Sequence, residues 1–130
     1  MEKVKLYYAH AMCTYGTDIE KTEIEQISKR FPTYDIIDPG AHEGNPEKSR
    51  AQMQYCFGLI DLCDAFVFSR LLGKVTAGVG LEIVHALSKG IIVYDFAGGG
   101  FKPVKKPVAY LSRDETIRHY EFWSRVTGRM

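Results

Sequence analysis

Apolar residues along the chain switch between two spacings, and the switches mark out its elements. The runs Val4 to Ala9, Tyr34 to Ile37, Ala65 to Ser69 and Ile91 to Tyr94 are short, aromatic or β-branched, and predict strands. Between them the spacing turns helical. Ile24, Ile27 and Phe31 define a helix that begins near Thr17, where Thr17 and Glu20 make a capping box, and Pro32 ends it. Asn45 followed by Pro46 starts a second helix running towards Leu62, with Met53, Phe57 and Ile60 as its inner stripe. A third opens on glycines after the third strand and stops at Gly90. Ser112 and Glu115 cap a last helix carrying Ile117, Tyr120 and Trp123. Phe101 to Pro107, with three lysines and two prolines, reads as an exposed loop, and Val108 to Leu111 as a fifth strand.

Strands alternating with helices across short connections imply a parallel sheet with right-handed crossovers. The expected architecture is a single α/β domain over residues 1–130, doubly wound in the flavodoxin-like or Rossmann-like manner. It should have about five strands in the order 2-1-3-4-5 and helices on both faces. In such sheets ligands collect beyond the carboxyl ends of the strands, where the order reverses between the first and the third. The loops meeting there would be 9–15, 38–43, 69–82 and 95–100.

Composition narrows the function classes. A chain of 130 residues that is 45% hydrophobic has the size and content of one globular domain. Its net charge of +1 supplies no field to recruit nucleic-acid polymers or anionic membrane, which favours a small ligand held locally. Lys102, Lys105 and Lys106 form only a small basic cluster. Cys13, Cys56 and Cys63 are odd in number and have no metal-ligand rhythm, so neither a disulfide framework nor a metal site is expected, and a reducing cytoplasm fits best. No apolar run approaches the roughly 18 residues that span a bilayer.

Candidate chemistry concentrates in Thr76 to Glu82. Gly78 and Gly80 would let backbone N–H groups approach a phosphate at a helix N-terminus, with the Thr76 hydroxyl beside it. Glu82 is placed in the first turn, where the helix dipole would keep it ionised at neutral pH. Alternation along the first strand allows one of Tyr7 and Tyr8 to face the ligand layer, and Tyr7 is the choice. His10 and Asp38 lie in converging loops and are taken as substrate contacts. Asp64, or Asp61 three residues earlier, would donate a proton or orient the ligand. Arg70 and Lys74 flank the phosphate loop, and His85 is read as structural.

The end of the first strand at Tyr7 and Tyr8, the Asp64 to Phe68 run, the Thr76 to Glu82 motif with Ala86 following, and the Ile91 strand together resemble the nucleoside 2-deoxyribosyltransferase-like superfamily over about residues 3 to 95. Within it they are closest to the 2'-deoxynucleoside 5'-monophosphate N-glycosidases. The resemblance implies an enzyme with no metal or organic cofactor, in which Glu82 attacks the anomeric carbon of a deoxyribose and expels the base. Water or a second base then resolves the sugar ester. It also implies a homodimer. Where such enzymes carry a second acid, two turns before the strand-leading aspartate, this chain has Cys56, and Asp61 is the nearest carboxylate. The other function compatible with the residues is a non-catalytic nucleotide-binding or sensing domain of the same fold.

Overall fold

The computed structural model describes residues 4–97 and 99–128. Five strands, β1 (Val4–Ala9), β2 (Tyr34–Ile37), β3 (Ala65–Ser69), β4 (Ile92–Ala97) and β5 (Gly100–Val104), form one sheet in the order β2-β1-β3-β4-β5. The helices are α1 (Asp18–Arg30), α2 (Pro46–Arg50), α3 (Gln52–Asp61), α4 (Ala77–Ser88) and α5 (Arg113–Thr127), with short 3-10 turns at Met12–Thr14 and Pro39–His42. β1 to β4 pair in parallel, as the alternation of elements requires. Among the described residues no helix is long and apolar enough to cross a membrane.

Three sequence expectations are corrected. The fifth strand is Gly100–Val104, not Val108–Leu111, and it runs antiparallel to β4 with Phe96 opposite Phe101. Phe101 packs on Phe96 and Phe31, so the expected loop is in part a strand with an anchored ring. Pro103 is tolerated because β5 is an edge, where a missing N–H costs no ladder bond, and the exposed Lys102 keeps that edge solvated. The helix expected from Asn45 to Leu62 is two helices, broken at Ala51 (φ −143°, ψ 65°), and no glycine or proline marks the break. Of the two capping boxes, that of Ser112 and Glu115 is complete. At Thr17 only half forms, since the Glu20 carboxylate turns away to Gly16 N and His10.

Alternation along the central strands sorts the core into two layers. Tyr7, Phe66 and Phe68 face α3 and α4, where they meet Cys56, Ile60, Val79 and Ile83. Leu6, Tyr8 and Val67 face α1 through Ile27 and Phe31. Helix α5 packs instead on the loops that leave β1 and β3: Trp123 is buried with Ala11 and Leu71, and His119 Nε2 lies 2.6 Å from the Leu71 carbonyl. The segment leading into α5 is tied to the α4 approach by Leu111 N donating to Val75 O at 2.9 Å.

Gly80 makes a close approach possible. A Cβ there would lie 2.1 Å from Cγ of Tyr110, so the α4 backbone and the Tyr110 ring share space that only glycine leaves free. Gly78 has open space at the same position. Gly80→Ala should therefore lose about 1–3 kcal/mol in urea unfolding, and the loss should vanish in a Tyr110→Ala background. Gly78→Ala should gain about 0.4–1 kcal/mol.

Candidate active site

Beyond the carboxyl ends of β1 and β3, where strand order reverses, lies a cavity of about 410 Å3. The loop after β1 contributes His10, Met12 and Tyr15 to its wall. Gln52, Met53 and Cys56 come from α3, Thr76 to Val79 and Glu82 from α4, and Arg113, Thr116, Ile117 and Tyr120 from α5. The wall is mostly apolar and aromatic with a few polar groups, the usual make-up of a small-molecule site.

Glu82 is its one carboxylate among the described residues. It sits in the second turn of α4, not the first, and is only 7% exposed. Burial raises its pKa from an ordinary 4.5 to about 7, against the opposing pull of a hydrogen bond from Tyr7, the charge of Lys48 and the Cys56 thiol. The sequence expectation of a carboxylate held ionised by the helix dipole is thus corrected: desolvation outweighs a dipole effect that fades beyond the first turn. Tyr7 OH donates to Glu82 Oε2 from behind the cavity wall, its ring stacked on Phe66 at 5.5 Å. Burial first, and the Glu82 charge second, push the Tyr7 phenol far up, so it stays a donor. The same two causes raise Tyr15, and they push Cys56 up to about 11, so Cys56 is a neutral thiol.

At the other side of the cavity the first turn of α4 supplies backbone N–H groups. Thr76 is the N-cap, but its side chain makes no capping bond; its hydroxyl is in hydrogen-bond reach of Tyr120 instead. Ala77 N is already taken by Thr116 Oγ1 at 2.9 Å. Gly78 lines the cavity as expected, whereas Gly80 does not: its N–H bonds Thr76 O at 2.8 Å and its Cα faces Tyr110. Arg113 at the start of α5 brings a cation to this rim.

The two expected second acids lie elsewhere. Asp64 precedes β3, at the amino end of the sheet, and its Oδ2 accepts from Lys5 N at 2.9 Å. Asp61 ends α3 and pairs with His85 Nε2 at 2.7 Å, while the His85 ring stacks on Phe57. Neither lines the cavity. His10 does, but Asp38 stands behind it, 3.5 Å from His10 Nε2. Burial raises the Asp38 pKa, opposed by His10. Arg70 is paired with Asp95 at 2.8 Å and, with Lys74, faces a different hollow. Cys13 is pushed up to about 11 by burial, which leaves it a poor nucleophile.

Sequence reasoning missed Tyr15, Met53, Arg113, Thr116 and Tyr120 as wall residues, and Lys48 as a buried cation. Lys48 pairs with Glu43 and lies 5.2 Å over the Tyr15 ring. A lysine at helical phase with Cys56 and Ile60 was the available signal. No protein-family model matches the chain, and no curated protein matches it.

A pKa raised on folding makes stability fall with pH. The Glu82 contribution is full below about pH 4.5, where both states are protonated, and is lost as pH climbs to about 7 and ionises the buried group. Urea unfolding at pH 4 and pH 8 should show the wild type losing about 3 kcal/mol more than Glu82→Gln over that interval.

Proposed function

We propose that the chain is an N-glycosidase or deoxyribosyltransferase that cleaves the base–sugar bond of a small nucleotide, preferably a 2'-deoxynucleoside 5'-monophosphate, with Glu82 as nucleophile. The observation that carries the reading is a buried carboxyl group, oriented by Tyr7, opening onto a cavity of nucleotide size at the strand reversal. The sequence resemblance at Thr76 to Glu82 supports it. Tyr15 and Tyr120 offer aromatic faces for a base, while the Gly78 region and Arg113 offer donors to a phosphate.

In the reaction a Glu82 carboxylate oxygen bonds to C1' as the C1'–N bond breaks, its electron pair passing to the base nitrogen, which takes a proton from solvent. Water then attacks C1', the carboxylate departs and the water proton is released. A second nucleobase in place of water gives transfer. The nucleophile must be ionised, so kcat/KM should rise with pH through about 7. A homodimer belongs to the same reading.

A second reading, a nucleotide-binding or sensing domain, is favoured by one observation: Asp61 and Asp64 lie away from the cavity and Cys56 faces Glu82 where a proton donor would stand. Incubation with a panel of deoxynucleoside monophosphates and chromatography for free base separates the two. Base release that drops by about 10³-fold or more in Glu82→Gln supports the enzyme. A nucleotide that raises the melting temperature yet stays intact for hours supports the sensor. In the enzyme, Cys56→Asp should raise base release about tenfold or more at mildly acidic pH, because two carboxyls in contact share one proton and the neutral one donates to the leaving base.

A further inference from the structure

In the cavity wall, the His10 side chain is buried between a backbone carbonyl and two carboxylates. Its Nδ1 lies 3.1 Å from Tyr8 O, and its Nε2 lies 2.7 Å from Glu20 Oε2 and 3.5 Å from Asp38 Oδ1. A carbonyl oxygen only accepts, so Nδ1 carries the hydrogen. In the neutral ring the Nε2 lone pair then points at two acceptors, which is repulsive unless a positive species lies between them. Adding a proton to Nε2 leaves a cluster of one buried cation and two part-buried anions. A divalent ion leaves it neutral.

The surroundings are built as metal-site supports are. A ligating imidazole usually donates its other N–H to a carbonyl or carboxylate, which fixes the ring, as Tyr8 O does here while the Tyr8 ring stacks at 3.8 Å. Each carboxylate is oriented by a backbone N–H: Gly16 N to Glu20 Oε1 at 3.0 Å, and Gly40 N to Asp38 Oδ1 at 2.8 Å. Gly40 leaves room for this arrangement, since a Cβ there would meet Glu20 Oε2 at 2.6 Å and Asp38 Oδ1 at 3.0 Å and displace those side-chain ends. The three donor atoms lie within 4.8 Å of one another; ion bonds of about 2.0–2.2 Å set tetrahedral ligands about 3.3–3.6 Å apart, which matches the 3.5 Å His10–Asp38 separation and requires the 2.7 Å His10–Glu20 contact to widen by a rotation of the Glu20 side chain.

We propose that His10, Glu20 and Asp38 bind one divalent transition-metal ion, Zn2+ foremost, beside the nucleotide cavity. One imidazole with two carboxylates suits Zn2+ or Mn2+ over Ca2+ and Mg2+, which take oxygen alone. No spacing along the chain marks this set, because its ligands come from the loop after β1, from α1 and from the loop after β2. The site stands independently of the glycosidase reading.

The test is calorimetric titration of the chelator-stripped chain with Zn2+, and with Mg2+ in parallel. The expected result is one Zn2+ per chain with Mg2+ inert. Glu20→Gln and Asp38→Asn should weaken Zn2+ binding by about 100-fold or more, and His85→Gln should leave it unchanged. Circular dichroism checks that each variant is folded. Should a variant unfold, 15N imidazole spectra of the wild type decide: the Nε2 resonance of a buried histidine must move to a metal-bound position on Zn2+ addition. Absence of saturable one-to-one binding, equal affinity in the folded carboxylate variants, or an imidazole that stays doubly protonated in excess Zn2+ overturns the proposal.

Discussion

The carboxyl of Glu82 is costly for this fold to bury, and the neighbouring side chains answer that cost. Withdrawing an unpaired carboxylate from water costs several kcal/mol, while a hydrogen bond to a charged group returns about 1.5–3. The Tyr7 hydroxyl, the Lys48 charge and the Cys56 thiol therefore offset desolvation without cancelling it, and the balance is a proton affinity near neutrality. The start of α4 cannot close the gap: a helix terminus contributes about 0.3–1 kcal/mol, and Glu82 is a turn beyond it.

Strand β1 distributes the polar chemistry to two sides of the sheet. Its alternation sends Tyr7 to the α3 and α4 layer, where it holds Glu82, and Tyr8 to the α1 layer, where its hydroxyl donates to Glu23 at 2.5 Å. His10, two residues past Tyr8, keeps the Tyr8 parity and stacks on its ring. The Glu82 network and the His10 network thus share one backbone segment and converge on one cavity, where the Tyr15 ring stands between them, 4.8 Å from the His10 ring and beneath Lys48.

Much of the frame is legible in the sequence, because local spacing and one topological rule produce it. Four strands fall where β-branched and aromatic runs lie, and the strand reversal places Tyr7, His10 and Glu82 together. The failures follow from geometry that local spacing does not carry. Asp61 and Asp64 are near β3 in sequence but at its amino end, and a five-residue strand separates its ends by about 16 Å. Arg113 and Tyr120 reach the cavity through the docking of α5 across two distant loops, and no periodicity within α5 reports that. β5 is masked by its own edge chemistry: glycine, lysine and proline write over the apolar pattern, leaving Phe101 as its one aromatic marker.

That edge chemistry bears on how copies of the chain can meet. A proline opposite Tyr94 removes one ladder donor and a lysine opposite Asp95 adds a charge that disfavours an incoming strand, and at the far side β2 offers a run of just four residues. Growth of the sheet by strand addition is disfavoured at both borders. The exposed apolar side chains of Leu81 and Val84 lie instead on a helical surface, that of α4.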